Sequence, residues 1–172
     1  MFSQSHFIKF MVFPGGVINQ ASLGYELGIN DHHSVGIQAS GSFYWILDPF
    51  FLVKRATTNY RYYYPVTSRV RLAAQVEIGY YELRQYNTSL KYYLRSHNIS
   101  SGVLIGARKR FGTSERWSSD VFMGITYDYR IYASRFSIPP DYKSVGSLKS
   151  SNLPENRFYL LPRVVVEVCY RF

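Results

Sequence analysis

The chain has one cysteine, Cys169, among 172 residues. It can form no internal disulfide and no multi-cysteine metal site. No apolar run of about 18 residues occurs, which excludes a membrane-spanning helix. Acidic residues are few: 11 Asp and Glu stand against 20 Lys and Arg, a formal net charge of +9. That balance points to an anionic partner, either nucleic acid or a lipid surface. Met1–Phe13 reads MFSQSHFIKFMVF and lacks the charged start and long apolar run of a secretory leader. Aromatics, by contrast, are plentiful, with 17 Tyr, 12 Phe and 2 Trp making 18% of the chain. Mean hydropathy is nevertheless −0.16. Alternating strands reconcile the two, because polar and apolar residues cancel in the average.

The alternation is plainest at Phe158–Phe172, FYLLPRVVVEVCYRF. Phe158, Leu160, Pro162, Val164, Val166, Val168, Tyr170 and Phe172 form one apolar face. Arg163, Val165, Glu167, Cys169 and Arg171 form the other, since a strand sends successive side chains to opposite faces. The stretch exceeds the ~5–6 residues of an ordinary strand and covers the ~9–11 that cross a bilayer when tilted. Seven further segments repeat the pattern: His6–Phe13, Gln20–Ile29, Val35–Trp45, Thr58–Tyr64, Val70–Tyr80, Ile99–Lys109 and Trp117–Ile131. Tight turns are expected at Asn30-Asp31-His32-His33, Pro65-Val66-Thr67-Ser68 and Gly112-Thr113-Ser114-Glu115. Long links are expected from Leu47 through Lys54-Arg55, from Glu82 to Asn98 and from Ala133 to Arg157, with an intermediate one after the first strand.

The expected fold is all-β: one domain over residues 1–172, an eight-stranded antiparallel up-and-down transmembrane β-barrel. Short turns at one end and longer loops at the other are the habit of outer-membrane barrels. Outward faces carry no charge over their central spans, and aromatics gather at their ends. Trp117, Tyr64, Tyr170 and Phe172 mark one rim; Phe43, Trp45, Tyr80, Tyr129 and Phe158 mark the other. Inward faces carry Glu26, Arg61, Arg71, Glu77, Arg108, Asp120, Asp128, Arg130, Arg163 and Glu167, with Arg171 at the end. Near-balanced charges in a lumen only wide enough for side chains predict a plugged polar core, not a pore. Inner glycines are expected to make room for the arginines.

Ala21-Ser22-Leu23-Gly24-Tyr25-Glu26, Asn30-Asp31 and Ser34-Val35-Gly36-Ile37 resemble the opening hairpin of a family of small outer-membrane β-barrel proteins common in bacteria of the Bacteroidetes group. Tyr60-Arg61-Tyr62-Tyr63 resembles that family's fourth strand; Pro162-Arg163 and Tyr170-Arg171-Phe172 resemble its closing strand. Cys169 stands where the family more often has Gly. Tyr170 and Phe172, third-last and last, also resemble the signal read by the barrel-assembly machinery. The resemblance implies a barrel in the bacterial outer membrane and brings no catalytic residues. A leader peptide would then precede the chain or its true start.

No catalytic residue, metal site or cofactor is expected. His97 and Ser101 share a strand face as in the outer-membrane lipid hydrolases, but no nearby acid completes a triad. His32-His33 lacks a third ligand. Two classes of function stay open. One is a non-enzymatic, monomeric envelope barrel with a structural or loop-mediated binding role. The other is a soluble β-barrel or sandwich that binds a ligand or nucleic acid; a nucleic-acid module should gather aromatics and cations on one exposed face, whereas here the aromatics flank apolar stripes and the arginines alternate with Glu and Asp, which favours the membrane. For the membrane reading, Lys54, Arg55, Arg84, Lys91, Arg95, Lys143 and Lys149 are expected in loops that contact lipopolysaccharide phosphates.

Overall fold

The structure, a computed structural model, describes residues 5–14, 18–45, 50–87, 92–137, 150–152 and 158–172. These residues form nine strands: β1 Ser5–Pro14, β2 Ile18–Gly28, β3 His33–Trp45, β4 Phe50–Pro65, β5 Val70–Asn87, β6 Tyr92–Phe111, β7 Trp117–Ser137, β8 Ser150–Asn152 and β9 Phe158–Arg171. Eight of them close a ring in the order β1-β2-β3-β4-β5-β6-β7-β9, antiparallel throughout, with β9 returning to β1. The three-residue β8 lies beside Ser134–Phe136 of β7, above the part that pairs with β9.

Each tight turn has its own chemistry. Asn30 Oδ1 accepts the backbone N–H groups of His32 and His33, both at 2.9 Å. Thr67 Oγ1 accepts those of Arg69 and Val70, at 3.2 and 3.0 Å. The third turn carries Gly112 at φ 81° and Glu115 at φ 51°. Short polar side chains and a glycine thus replace ladder bonds where the chain reverses.

At the opposite end the described parts of the expected long links are strand. β4 begins at Phe50, so Lys54 and Arg55 belong to it; β5 and β6 continue to Asn87 and from Tyr92, so Arg84 and Arg95 are strand residues. The stretch after Ile131 also stays in β7 as far as Ser137. These extensions hid because none has one apolar and one polar face: Phe50–Val53 is apolar on both, and Glu82–Asn87 and Tyr92–His97 mix polar and apolar residues on each, whereas period-2 hydropathy is visible only where the faces differ. Within β7 the ladder slips: Arg130 pairs with Asn98 and Tyr132 with His97, leaving Ile131 unopposed. This bulge lets Ile131 and Tyr132 both face out before Ala133 turns in.

Inside and outside alternate as the pleat requires. On β4, Thr57, Asn59, Arg61 and Tyr63 are buried while Ala56, Thr58, Tyr60, Tyr62 and Tyr64 are exposed. Where the β6–β7 wall is tightest, Gly106 lies opposite Phe122 and Gly124 opposite Leu104. A Cβ on either glycine would overlap a backbone carbonyl of the neighbouring strand, that of Val121 or Val103. Here the glycines make room for two fully buried apolar side chains and not, as expected, for arginine alone.

The ring is closed unevenly. β7 and β9 pair from Trp117↔Tyr170 to Tyr129↔Phe158, whereas among the described residues β1 and β9 pair from Phe7↔Arg171 to Phe10↔Val168.

Candidate functional site

The lumen is crossed by one compact charge cluster with six members on six strands: Lys9, Glu26, Arg61, Arg108, Asp120 and Glu167. Three positive and three negative side chains are all buried, so each must find its charge partner inside the protein. Arg108 grips Glu26 through two parallel bonds of 2.9 Å and Asp120 through two of 2.7 Å. Arg61 donates to Glu26 at 3.1 Å, Asp120 at 2.6 Å and Glu167 at 3.0 Å. Lys9 Nζ lies 2.6 Å from Glu26. The Tyr63 hydroxyl donates to Glu26 at 3.1 Å. Phe7 and Tyr63 lie against the Arg108 guanidinium at 4.6 and 4.8 Å, and Phe122 against that of Arg61 at 4.5 Å. The aromatic faces cover the guanidinium planes while carboxylates take their edges.

A second layer lies nearer the extended end. Gln75 joins the two, accepting from Arg61 at 2.5 Å and donating to Glu77 at 2.9 Å. Glu77 is shared by Arg163 at 2.5 Å and Arg55 at 3.9 Å. The Tyr81 hydroxyl donates to Asp128 at 2.8 Å, and Arg55 lies over the Tyr81 ring at 4.8 Å. Arg130 lies over Tyr159 at 5.1 Å. In this layer three cations, Arg55, Arg130 and Arg163, stand with two anions, Glu77 and Asp128. Beside this layer is a cavity of about 310 Å³ lined by Ser40, Ser42, Arg55, Tyr81, Asp128 and Arg163, among others.

Lys9 and Arg55 were missing from the expected charge network. Lys9 lies on the least regular strand pattern in the sequence. Arg55 is a correction of a second kind: assigned to a lipid-contacting loop, it points into the lumen with its side chain 12% exposed. Arg71 is half-buried at the short-turn mouth, where it donates to the Asp31 carbonyl oxygen at 2.9 Å. Arg71, Arg110 and Arg171 border a small cavity of about 80 Å³ there. Of the other expected loop cations, Lys54 is exposed, and Arg84 and Arg95 share Glu82 at 2.7 and 2.6 Å. The Arg84 hydrogen bond is the main cause that holds the Glu82 carboxyl below its ordinary value, beyond the Tyr80 rim. Lys91, Lys143 and Lys149 lie outside the described residues.

The charge is therefore distributed differently from the expectation. Moving Arg55 inside leaves the lumen at +1, six cations against five anions. By sequence, the segments at the extended end hold eight cations and four anions, a net +4. The short-turn end holds Arg69, Arg71, Lys109, Arg110, Arg116 and Arg171 against Asp31 and Glu115, also +4.

His97 and Ser101 lie on the outer face of β6, as their spacing predicts; the His97 ring nitrogen meets the Tyr80 hydroxyl, and Ser101 is exposed. His32 Nδ1 lies 2.9 Å from the Tyr63 carbonyl oxygen, and His33 meets the Tyr60 hydroxyl. Asp120, Glu167 and Cys169 bring three ligand-type atoms within 4.8 Å, but Arg61 and Arg108 already bond both carboxylates. A metal ion there would have to displace a guanidinium. Tyr170 lies beside Trp117, ring centroids 4.9 Å apart, and Phe172 stacks on His6 at 5.8 Å, both next to the β1–β9 junction.

These features define a closed eight-stranded antiparallel barrel with a charge-filled interior. No protein-family model matches the chain, and no curated protein matches it. Neither comparison reaches the Bacteroidetes-type family that its short motifs resemble. In structure the chain is similar to a major outer membrane protein from Thermus thermophilus, with a TM-score of 0.67 and 11% sequence identity. The match covers 99% of this chain and 100% of that one. At that identity the likeness is one of fold.

Proposed function

We propose that the protein is a non-enzymatic, monomeric outer-membrane β-barrel, sealed by its luminal charge cluster, with a structural or binding role at its extended end. The observation that carries this reading is the inversion of the molecule. Its outer wall exposes Leu23 at 65%, Ile37 at 59%, Ile105 at 64% and Val164 at 67%, while Arg61 and Glu26 are fully buried. An apolar band around a whole ring far exceeds the patches a soluble monomer leaves in water. Closure of the sheet is what makes such a wall tolerable in lipid, which cannot satisfy backbone groups. Lys54 and Lys109, both exposed, bracket the band from opposite ends. The barrel likeness to a Thermus outer membrane protein and the Bacteroidetes-type motifs support the same location.

The partners that follow are outer-membrane lipid and the barrel-assembly machinery, which would read Tyr170 and Phe172. Lipopolysaccharide is the further partner. Lys54 would face the phosphorylated leaflet, and each cation near such a surface is worth ~1 kcal/mol, screened within a Debye length. Two measurements test the proposal. Refolding should require detergent or lipid, and reconstituted barrels should leave planar bilayers without steady ion conductance. Adsorption of the barrel's extended end to lipopolysaccharide bilayers should exceed that to neutral ones at low salt and fall as salt rises. Folding without detergent removes the membrane assignment, and salt-independent adsorption removes the lipopolysaccharide role.

A further inference from the structure

The short-turn mouth of the barrel gathers cations without matching acids. Arg71 of β5, Arg110 of β6 and Arg171 of β9 lie on the inward faces of their strands, each half-buried, and border the cavity of about 80 Å³ there. Arg71 and Arg171 stand close enough to Arg110 to repel its charge. Below them the cavity meets Arg108 and Glu26, which already hold each other. That floor lends the three arginines no spare carboxylate. Glu115 reaches Arg110 only at 3.8 Å and is shared with Arg69 at 3.6 Å. Among the described residues neither Arg71 nor Arg171 forms an ion pair; Arg71 bonds the carbonyl oxygen of Asp31, not its carboxylate. Arg69, Arg71, Arg110 and Arg171 against Asp31 and Glu115, four cations against two anions, leave +2. Met1-Phe2-Ser3-Gln4, ahead of β1, adds no acid. A second observation is independent of charge. Ser34 of β3 lines the same cavity and is 1% exposed. Its hydroxyl is buried and has no hydrogen-bond partner among the described residues. Such a hydroxyl can bond a group that enters the cavity.

We infer that this mouth binds a phosphoryl dianion, as inorganic phosphate or the terminal group of a small phosphate monoester, entering from the water at the short-turn end. Charge selects it. A phosphate monoester carries about −1.5 to −2 near pH 7, which offsets the +2 of the mouth. Shape selects it too. Each guanidinium presents a planar fork that matches two phosphate oxygens. Three forks around one cavity suit a tetrahedral group better than a flat carboxylate. A single water needs ~10–15 Å³ of such space, so the cavity takes a compact group of several heavy atoms and not a large solute. The rest of a monoester would point out of the mouth. The Ser34 hydroxyl would donate to one phosphate oxygen. Because the arginines lie on the inner faces of their strands, a solute reaches them more readily than a lipid headgroup tethered at the outer wall. The cluster around Arg108 seals the way beyond, so the site holds the anion and does not pass it through the barrel. The site itself does not depend on the membrane reading; only the compartment from which its ligand arrives does.

The test uses the full chain folded in an uncharged maltoside detergent at low salt, titrated calorimetrically with inorganic phosphate, glycerol 3-phosphate and acetate. Both phosphates should bind about tenfold or more tightly than acetate, as added hydrogen bonds to a charged group predict. Arg110→Gln and Arg171→Gln should each cost phosphate about tenfold, and Ser34→Ala about threefold. Lys109→Gln removes the same charge from an exposed neighbour and should leave affinity within about twofold. Heat-modified mobility shows whether each variant is folded, and the comparison with acetate needs no variant. Phosphate no tighter than acetate overturns the site. Equal losses in Lys109→Gln and Arg110→Gln also overturn it, since diffuse attraction would then suffice. Full affinity in Ser34→Ala overturns the placing of the anion inside the cavity. In nanodiscs, phosphatidate that displaces phosphate where glycerol 3-phosphate does not would make a lipid headgroup the ligand and overturn the water-borne one. A chain that folds without detergent would instead defeat the membrane assignment and leave the phosphate result standing.

Discussion

Arg108 and Glu26 meet head-on across the lumen: Nη1 to Oε1 and Nη2 to Oε2, each at 2.9 Å, from β6 to β2. The pair joins strands that are not neighbours in the ring, so it ties opposite walls together. Removing one member of a buried pair leaves the other charge stranded, at a cost of about 3–5 kcal/mol. Glu26→Gln is therefore expected to lose that much stability in urea unfolding from lipid vesicles. Glu26→Gln with Arg108→Met should cost less than the two single changes added together. Strict additivity would mean that the two groups are not coupled in the folded state.

The β6–β7 wall should be sensitive to a single methyl group. Gly124→Ala places a Cβ onto the Val103 carbonyl oxygen, and Gly106→Ala places one onto that of Val121. Backbone cannot step aside as a side-chain tip can, so each should destabilise by about 1–3 kcal/mol. Gly41→Ala, with open space around its position, is the control and should be near neutral. Heat-modified electrophoretic mobility of the folded barrel reports all three.

Val166 lies on the outer face of β9, and Val121 is its partner on β7. Val166→Arg puts a charge on the lipid face, expected to cost ~2–4 kcal/mol near mid-bilayer. Ser114→Arg, in the exposed turn before β7, should fold in lipid like the unmodified chain. Similar folding yields for the two variants would contradict the orientation of the wall.

At the extended end, Glu82 is held between Arg84 and Arg95. Its carboxyl lies below the ordinary value when folded, chiefly through the Arg84 bond. A depressed value means that the carboxylate supports the fold above the unfolded value and ceases to do so as pH falls through the folded one. The resonance of Glu82 should accordingly titrate at lower pH than glutamate in a peptide. Arg84→Gln should move that midpoint upward. A midpoint at the peptide value would show that the arginines are too mobile to act.

The strands crossing the apolar band were legible in the sequence. Alternation in Ala21–Ile29 or Val70–Tyr80 follows from one wet and one greasy face, a pattern that any single residue slip would invert. Turns such as Asn30-Asp31 and Thr67 were legible because their side chains do the bonding locally. Beyond the band that signal ends. Glu82–Asn87 and Tyr92–His97 are strands held by ladder bonds and by pairs such as Tyr86 with Tyr93, ring centroids 4.7 Å apart. Their composition alone reads as loop.

By itself the sequence determined the all-β class, the inward and outward faces of the crossing strands and the near-balance of charge inside. Each depends on neighbours one or two positions apart, which local spacing records. Only the tertiary structure decided who meets whom. It placed Lys9 beside Glu26, turned Arg55 from an outer loop into the lumen and set Phe122 against Gly106. Those outcomes depend on the register between strands far apart in the chain and on the circumference at which the sheet closes. Both are global properties of the ring, and no short stretch of residues carries them.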